Sequence, residues 1–231
     1  MIIIFLLIII ICLLIAINNF NIYDAFTNNK QGQNQKGQNQ KGQKGQNVVL
    51  IGDSMLNNSA FVDQGQSVAD ILSNKLAGSA IVYNFAKDGA TIADCYAQLD
   101  KISSVTNSTI FISCGGNNIL NRRQRVDSDY VNNLFEQYSE FIQSVKTVVS
   151  SAKSNIYVLN LYTPASGHYT SYHSAIEQWN QLIDDNASRL GYTVIKTSNL
   201  LTLDEDFVYG IEPSYKGGKQ LASKLFYIIS G

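Results

Sequence analysis

From Val48 onward the chain switches repeatedly between short continuous apolar runs and longer segments whose apolar residues recur three and four apart. The first pattern reads as strands buried on both faces, the second as helices with one core-facing stripe. Val48-Val49-Leu50-Ile51 opens the series and runs into Gly52-Asp53-Ser54. Ser67 with Asp70 resembles a capping box and starts a helix carrying Val68, Ile71, Leu72 and Leu76, with Gly78 as its stop. Residues 80–85 form the second strand, and Thr91 with Asp94 opens a helix bearing Ile92, Cys95, Leu99 and Ile102. The third strand covers 109–114. A long helix over 128–153 follows, with Val131, Leu134, Phe135, Tyr138, Phe141, Ile142, Val145 and Val148 at helical spacing. A strand over 156–162, a helix over 172–190 ended by Gly191, a short strand over 192–195 and a closing helix over 217–229 complete the pattern. Strands separated by helices demand parallel crossovers, which place helices on both faces of one sheet.

The first 47 residues follow other rules. Met1 to Ile17 is an unbroken apolar run, which as a helix reaches roughly 25 Å, near the lower limit for a bilayer span. Phe20 and Tyr23 extend it toward the interface. It lacks the basic leader and small-residue cleavage site of a secretion signal, Ala16-Ile17-Asn18 being a poor match. An uncleaved single-pass membrane anchor over 1–23 is the expectation, with a cleaved signal as the alternative. Lys30, Lys36, Lys41 and Lys44 favour a cytoplasmic domain but sit far from the span. Acceptor sequons at Asn57, Asn107 and Asn186 matter only on an external face, so sidedness stays open. Residues 24–47 are low complexity, with Gly-Gln-Asn-Gln-Lys at 32–36 and again at 37–41. Such a tether spans about 25 Å on average.

Composition narrows the function classes. The 231 residues suffice for one ordinary domain and an accessory segment. Lys+Arg 17 against Asp+Glu 18 leaves a net charge of -1, so no basic field points to nucleic acid. Cys12, Cys95 and Cys114 do not read as a disulfide framework, and none shares a metal-ligand spacing with histidine. They read as small buried hydrophobes, and no cofactor or metal is implied.

The chemistry gathers at the strand ends. Gly52-Asp53-Ser54 puts a hydroxyl at the carboxyl edge of the sheet, where open α/β sheets bind ligands. The second strand leads to Lys87-Asp88-Gly89-Ala90-Thr91, with Gly89 just before a helix. The third leads to Gly115-Gly116-Asn117-Asn118. The N–H groups of Ser54 and Gly89 and the amide of Asn117 are the right donors for the oxyanion formed when a serine attacks an ester. Any one of these is an ordinary turn residue. Three at successive strand ends make a site.

These blocks resemble the SGNH (GDSL-type) hydrolase superfamily, and the likeness runs from about Val48 to Ile229. It implies a three-layer α/β/α fold with a five-stranded parallel flavodoxin-like sheet in the order 2-1-3-4-5, here preceded by the transmembrane helix. It also implies metal-free ester hydrolysis, with Ser54 as nucleophile and Gly89 and Asn117 completing the oxyanion hole. The final block departs from the family. Where Asp-x-x-His is usual, this chain reads Tyr209-Gly210-Ile211-Glu212, followed by Pro213-Ser214. Glu212 stands at the histidine position and Tyr209 at the aspartate position.

A solvated glutamate, with a pKa of about 4.3, is a weaker base than imidazole, and burial strengthens it. His168 and His173, in or just after the loop following the fourth strand, are the other candidate bases. Arg122, Arg123 and Arg125 follow the Asn117 loop and either hold an anionic substrate or form a solvated cluster. The sequence thus favours a membrane-anchored serine esterase or acyl-hydrolase acting on a small-molecule, glycan or lipid ester, with Ser54, Gly89, Asn117 and Glu212 as its machinery. The alternative is a catalytically impaired module of the same fold that binds a glycan or acylated ligand. A purely structural anchor leaves the polar strand ends unexplained.

Overall fold

The computed structural model describes residues 47–149, 154–164 and 167–231. The expected anchor over 1–23 and the tether, apart from Asn47, lie outside the described residues. Among the described residues no helix is long and apolar enough to cross a membrane.

β1 (Asn47–Gly52), β2 (Val82–Asn84), β3 (Ser108–Ser113), β4 (Asn155–Leu159) and β5 (Thr193–Ile195) form a parallel sheet in the order 2-1-3-4-5. β1 and β3 lie at its centre in continuous register, Asn47 opposite Ser108 through Gly52 opposite Ser113. Their side chains are buried on both faces, as continuous apolar runs require. α1 (Val68–Lys75) packs on α6 (Tyr215–Ser230), while α2 (Ile92–Ile102), α4 (Ser128–Val149) and α5 (His173–Leu190) pack in series. The result is the expected α/β/α arrangement.

Capping fixes the helix starts. Ser67 accepts from Asp70 N, and Thr91 forms a reciprocal capping box with Asp94. α6 begins at Tyr215, two residues before the apolar pattern, because Ser214 caps it by accepting from Gly217 N at 3.2 Å. Gly217 then sits inside the first turn, where a Cβ would come within 2.2 Å of the Asp206 carbonyl.

Three short elements escape the hydrophobic pattern. α3 (Gly116–Leu120) is a single turn directly after β3, and β6 (Phe207–Val208) pairs antiparallel with β7 (Glu212–Pro213). β4 also stops at Leu159 rather than at 162. Leu161 leaves the sheet because its backbone bonds the Asn180 side chain instead, N to Oδ1 at 2.8 Å and O from Nδ2 at 2.7 Å. Leu161 and Tyr162 are buried all the same. Apolar character reported burial there, not strand pairing.

The carboxyl edge depends on the close approach of β1 and β3. Gly52 has φ +135°, and a Cβ there would fall 1.8 Å from the Ser113 carbonyl oxygen. Gln98 of α2 clamps the same residue, accepting from Gly52 N at 2.8 Å and donating to Gly52 O at 3.0 Å. Gly52→Ala should therefore cost roughly 3 kcal/mol or more in a urea titration, through backbone strain and displaced strands. Gly78→Ala, at φ +83° with nothing within 4 Å, should cost only about 1 kcal/mol. Equal losses at the two positions would contradict this account.

Candidate active site

β1 delivers its last residues into a tightly held turn. Asp53 N donates to the Ser113 carbonyl at 3.1 Å, and the Asp53 carbonyl accepts from Leu56 N and Asn57 N at 3.1 Å each. Its carboxylate accepts from Met55 N at 3.1 Å and from the Ser113 hydroxyl. Ser54 is thereby fixed at the sheet edge, almost wholly buried.

Ser54 opens on a cleft whose polar lining is Asp53, Ser54, Asn117 and Glu212, with the Tyr162 ring beside them. Its apolar wall is made by Met55, Leu120, Leu161, Pro164, Ile176 and Ile211. The cleft opens to solvent and offers about 40 Å³ of space, enough for roughly three water-sized groups.

Glu212 reaches the cleft from β7. The β6–β7 hairpin is held over the site by the Tyr162 hydroxyl, which donates to the Ile211 carbonyl, and by Asn58 Nδ2, which donates to the Pro213 carbonyl at 2.9 Å. Asn58 is fully buried, and its Oδ1 accepts from Val68 N at 2.8 Å, so one side chain joins the hairpin to the start of α1. The Glu212 carboxylate lies beside the Ser54 hydroxyl. Burial raises the Glu212 pKa above the ordinary range, more than the nearby Ser54 hydroxyl lowers it, and the Asp88 charge adds to the rise. Glu212 Oε2 is buried and has no hydrogen-bond partner among the described residues. Tyr209, at the aspartate position of the resemblance, does not orient it. Tyr209 is 82% exposed at the hairpin tip, with its ring edge-on to Phe61 at 6.4 Å.

Ser54, Asn117 and Glu212 thus line one cleft, while Gly89 is exposed beside it rather than among the lining residues. The Gly89 loop is tied to the site through its neighbours. Asn117 Nδ2 donates to the Ala90 carbonyl at 3.0 Å, and Ile92 N donates to Asn118 Oδ1 at 2.9 Å. From the other side Asp88 accepts from Asn57 Nδ2 at 3.3 Å and Ala60 N at 3.4 Å. The N–H groups of Ser54 and Gly89 donate to no acceptor among the described residues. One hydrogen of the Asn117 amide also remains beyond its bond to Ala90.

Neither histidine lines the cleft. His168 is exposed in the turn before α5, and His173 begins α5, one turn ahead of the wall residue Ile176. The arginines stand apart as well: Arg122 lies over the Tyr130 ring at 3.6 Å, and Arg123 and Arg125 are exposed. No cluster of metal-ligating side chains occurs among the described residues.

Sequence reasoning missed Asn58, Asp88, Ser113 and Tyr162, which hold the segments that line the cleft. Asp53 was read only as part of a motif. Its carboxyl is raised to about 7, chiefly by burial and further by the nearby Glu212 charge, against the bonds from Ser113 and Met55. The folded chain therefore keeps a proton on Asp53 at pH values where the unfolded chain has lost it. Stability from this group is complete below the unfolded value of 3.8 and is lost as pH rises through about 7. Asp53→Asn should flatten the fall in stability between those limits, a change on the order of 4 kcal/mol read from urea titrations at a series of pH values. An unchanged pH profile would show that Asp53 is ionised throughout. Asn58→Ala should cost about 2 kcal/mol and weaken any activity that needs Glu212, because it strips two buried groups of their partner.

Residues 48–216, well over half of the chain, match the family model described as GDSL-like lipase/acylhydrolase. No curated protein sequence matches the chain. Among solved structures it is similar to a lipolytic protein of the G-D-S-L family from Veillonella parvula, with 16% identity, a TM-score of 0.65 and coverage of 80% of this chain and 98% of that one. A carbohydrate acetylesterase from Sinorhizobium meliloti shows 12% identity and a TM-score of 0.64 over 80% and 98% of the two chains. An acetylxylan esterase from Geobacillus stearothermophilus shows 14% identity and a TM-score of 0.62 over 81% and 95%. The fold, the motif-bearing strand ends and the family match agree: the chain belongs to the GDSL-like lipase/acylhydrolase family.

Proposed function

We propose that this chain is a serine esterase for short acyl groups in which Glu212, in place of histidine, is the general base. The observation that carries the reading is the Ser54 hydroxyl set beside the half-buried Glu212 carboxylate in an apolar-walled cleft. Glu212 takes the Ser54 proton as the oxygen attacks the ester carbonyl, then returns it to the departing alcohol. The Ser54 N–H, the Gly89 N–H and the Asn117 amide receive the oxyanion. Water then hydrolyses the acyl-enzyme by the same route. Burial strengthens this base, and the unpartnered Oε2 leaves Glu212 without the orienting carboxylate a histidine would have.

The substrate class follows from size. A cleft with about 40 Å³ of space, walled by Leu120, Leu161 and Ile176, supports a short acyl group such as acetyl over a long chain. Two of the structural relatives carry acetyl-ester names, which supports the same reading. The apolar run over 1–17 supports a place at a bilayer surface, with the ester borne by a glycan, a lipid or a small molecule. A second reading, a non-catalytic module binding an acylated ligand, is favoured by the missing partner for Glu212.

The test is hydrolysis of p-nitrophenyl esters of increasing chain length. Acetate should be turned over at least ~10-fold faster than octanoate. Ser54→Ala should abolish turnover and Glu212→Gln should lower kcat by about 10²–10⁴-fold. The rate should fall with acid at a pH above the ordinary glutamate range, since Glu212 must be ionised to act. If Glu212→Gln is as fast as the parent while His173→Ala is inactive, the base is misassigned. If the parent itself shows no Ser54-dependent turnover, the binding-module reading replaces this one.

A further inference from the structure

Two thiols lie beneath the site. Cys95 belongs to α2 and Cys114 directly follows β3, and their Sγ atoms are 3.0 Å apart. That is closer than the roughly 3.5–4.0 Å at which core atoms ordinarily pack, and about 1 Å beyond a disulfide bond. Both residues are sealed in the core, at 0% and 1% exposure. Hydrophobic packing accounts for their burial. It does not account for two sulfurs turned onto each other, the Cys114 thiol donating to Cys95 Sγ.

We infer that Cys95 and Cys114 are a disulfide site, closed by exchange with a small-molecule disulfide or its protein equivalent. One thiolate attacks the oxidant, forming a mixed disulfide and releasing one reduced thiol. The second cysteine then attacks the bonded sulfur of the first and expels the other reduced thiol. The two protein thiols lose two hydrogens as the oxidant gains them. Burial pushes the Cys114 thiol up, so the closed fold offers little thiolate. Oxidation consequently belongs to the folding chain or to a locally opened state, and burial then shields the bond from reductants.

The placement gives the cross-link a use. The junction between the Gly89 loop and the Asn117 turn already holds two hydrogen bonds, Asn117 to Ala90 and Ile92 to Asn118. A bond from Cys95 to Cys114 would be its covalent member, three residues before Asn117 and one turn into α2. It would fix the separation of those two segments in an oxidising compartment and leave it to hydrogen bonds in a reducing one. The inference does not rest on the esterase reading.

The experiment uses the full chain in detergent, equilibrated in glutathione buffers of graded redox ratio with urea below the unfolding transition to permit local opening. Free thiols are blocked with an alkylating tag and peptides are mapped by mass spectrometry without reduction. The expected result is a Cys95–Cys114 linked peptide two hydrogens lighter, both thiols lost together, and a Tm raised by roughly 5–10 °C over the reduced protein. Cys12→Ser should leave all of this unchanged, whereas Cys95→Ser should leave Cys114 alkylated and remove the Tm shift. Free Cys95 and Cys114 in fully oxidised glutathione, stable glutathione adducts on either, or a link to Cys12 instead would each overturn the inference.

Discussion

Everything at the carboxyl edge of the sheet depends on how closely β1 and β3 approach at Gly52. With the Ser113 carbonyl where a Cβ would stand, only glycine lets β1 run beside β3 to its last residue. That approach lets Asp53 N reach the Ser113 carbonyl and the Ser113 hydroxyl reach the Asp53 carboxylate. Asp53 in turn orders the turn that presents Ser54. Ser54, the proposed nucleophile, is placed by backbone contact between two central strands.

The site then gathers negative charge where solvent is excluded. Asp53, Glu212 and Asp88 influence one another, and burial raises the pKa of all three. Like charges in a low-dielectric cleft cannot all ionise cheaply, so protons redistribute toward the most buried member. That member is Asp53, which favours its neutral form near neutrality and leaves Glu212 the better placed to be ionised. A carboxylate acting as base beside Ser54 is compatible with the cleft because its neighbour can stay protonated.

Side-chain amides join the loops around this centre. Asn58 bridges the β6–β7 hairpin and α1, Asn118 holds the start of α2, and Asn180 holds the chain after β4. Each satisfies backbone groups that have left regular structure, which buried loops require.

The alternation of apolar runs and helical stripes was enough to determine the five strands, the long helices and their parallel connection, because burial on two faces and on one face leave different periods. Ser54, Asn117 and Glu212 were legible as candidates because small polar residues after buried strands must emerge at one edge. Gly89 was legible as a neighbour of that edge, and only the folded chain shows it beside the cleft rather than in its lining. Local sequence could not reveal the β6–β7 hairpin, since two-residue strands carry no period. It could not reveal that Asn58 reaches Pro213 or that Cys95 faces Cys114, because those pairs are 155 and 19 residues apart. Nor could it give the Asp53 pKa, which depends on desolvation and on a glutamate arriving from the far end of the domain. Periodicity records which residues are buried; only tertiary packing decides what each buried polar group meets.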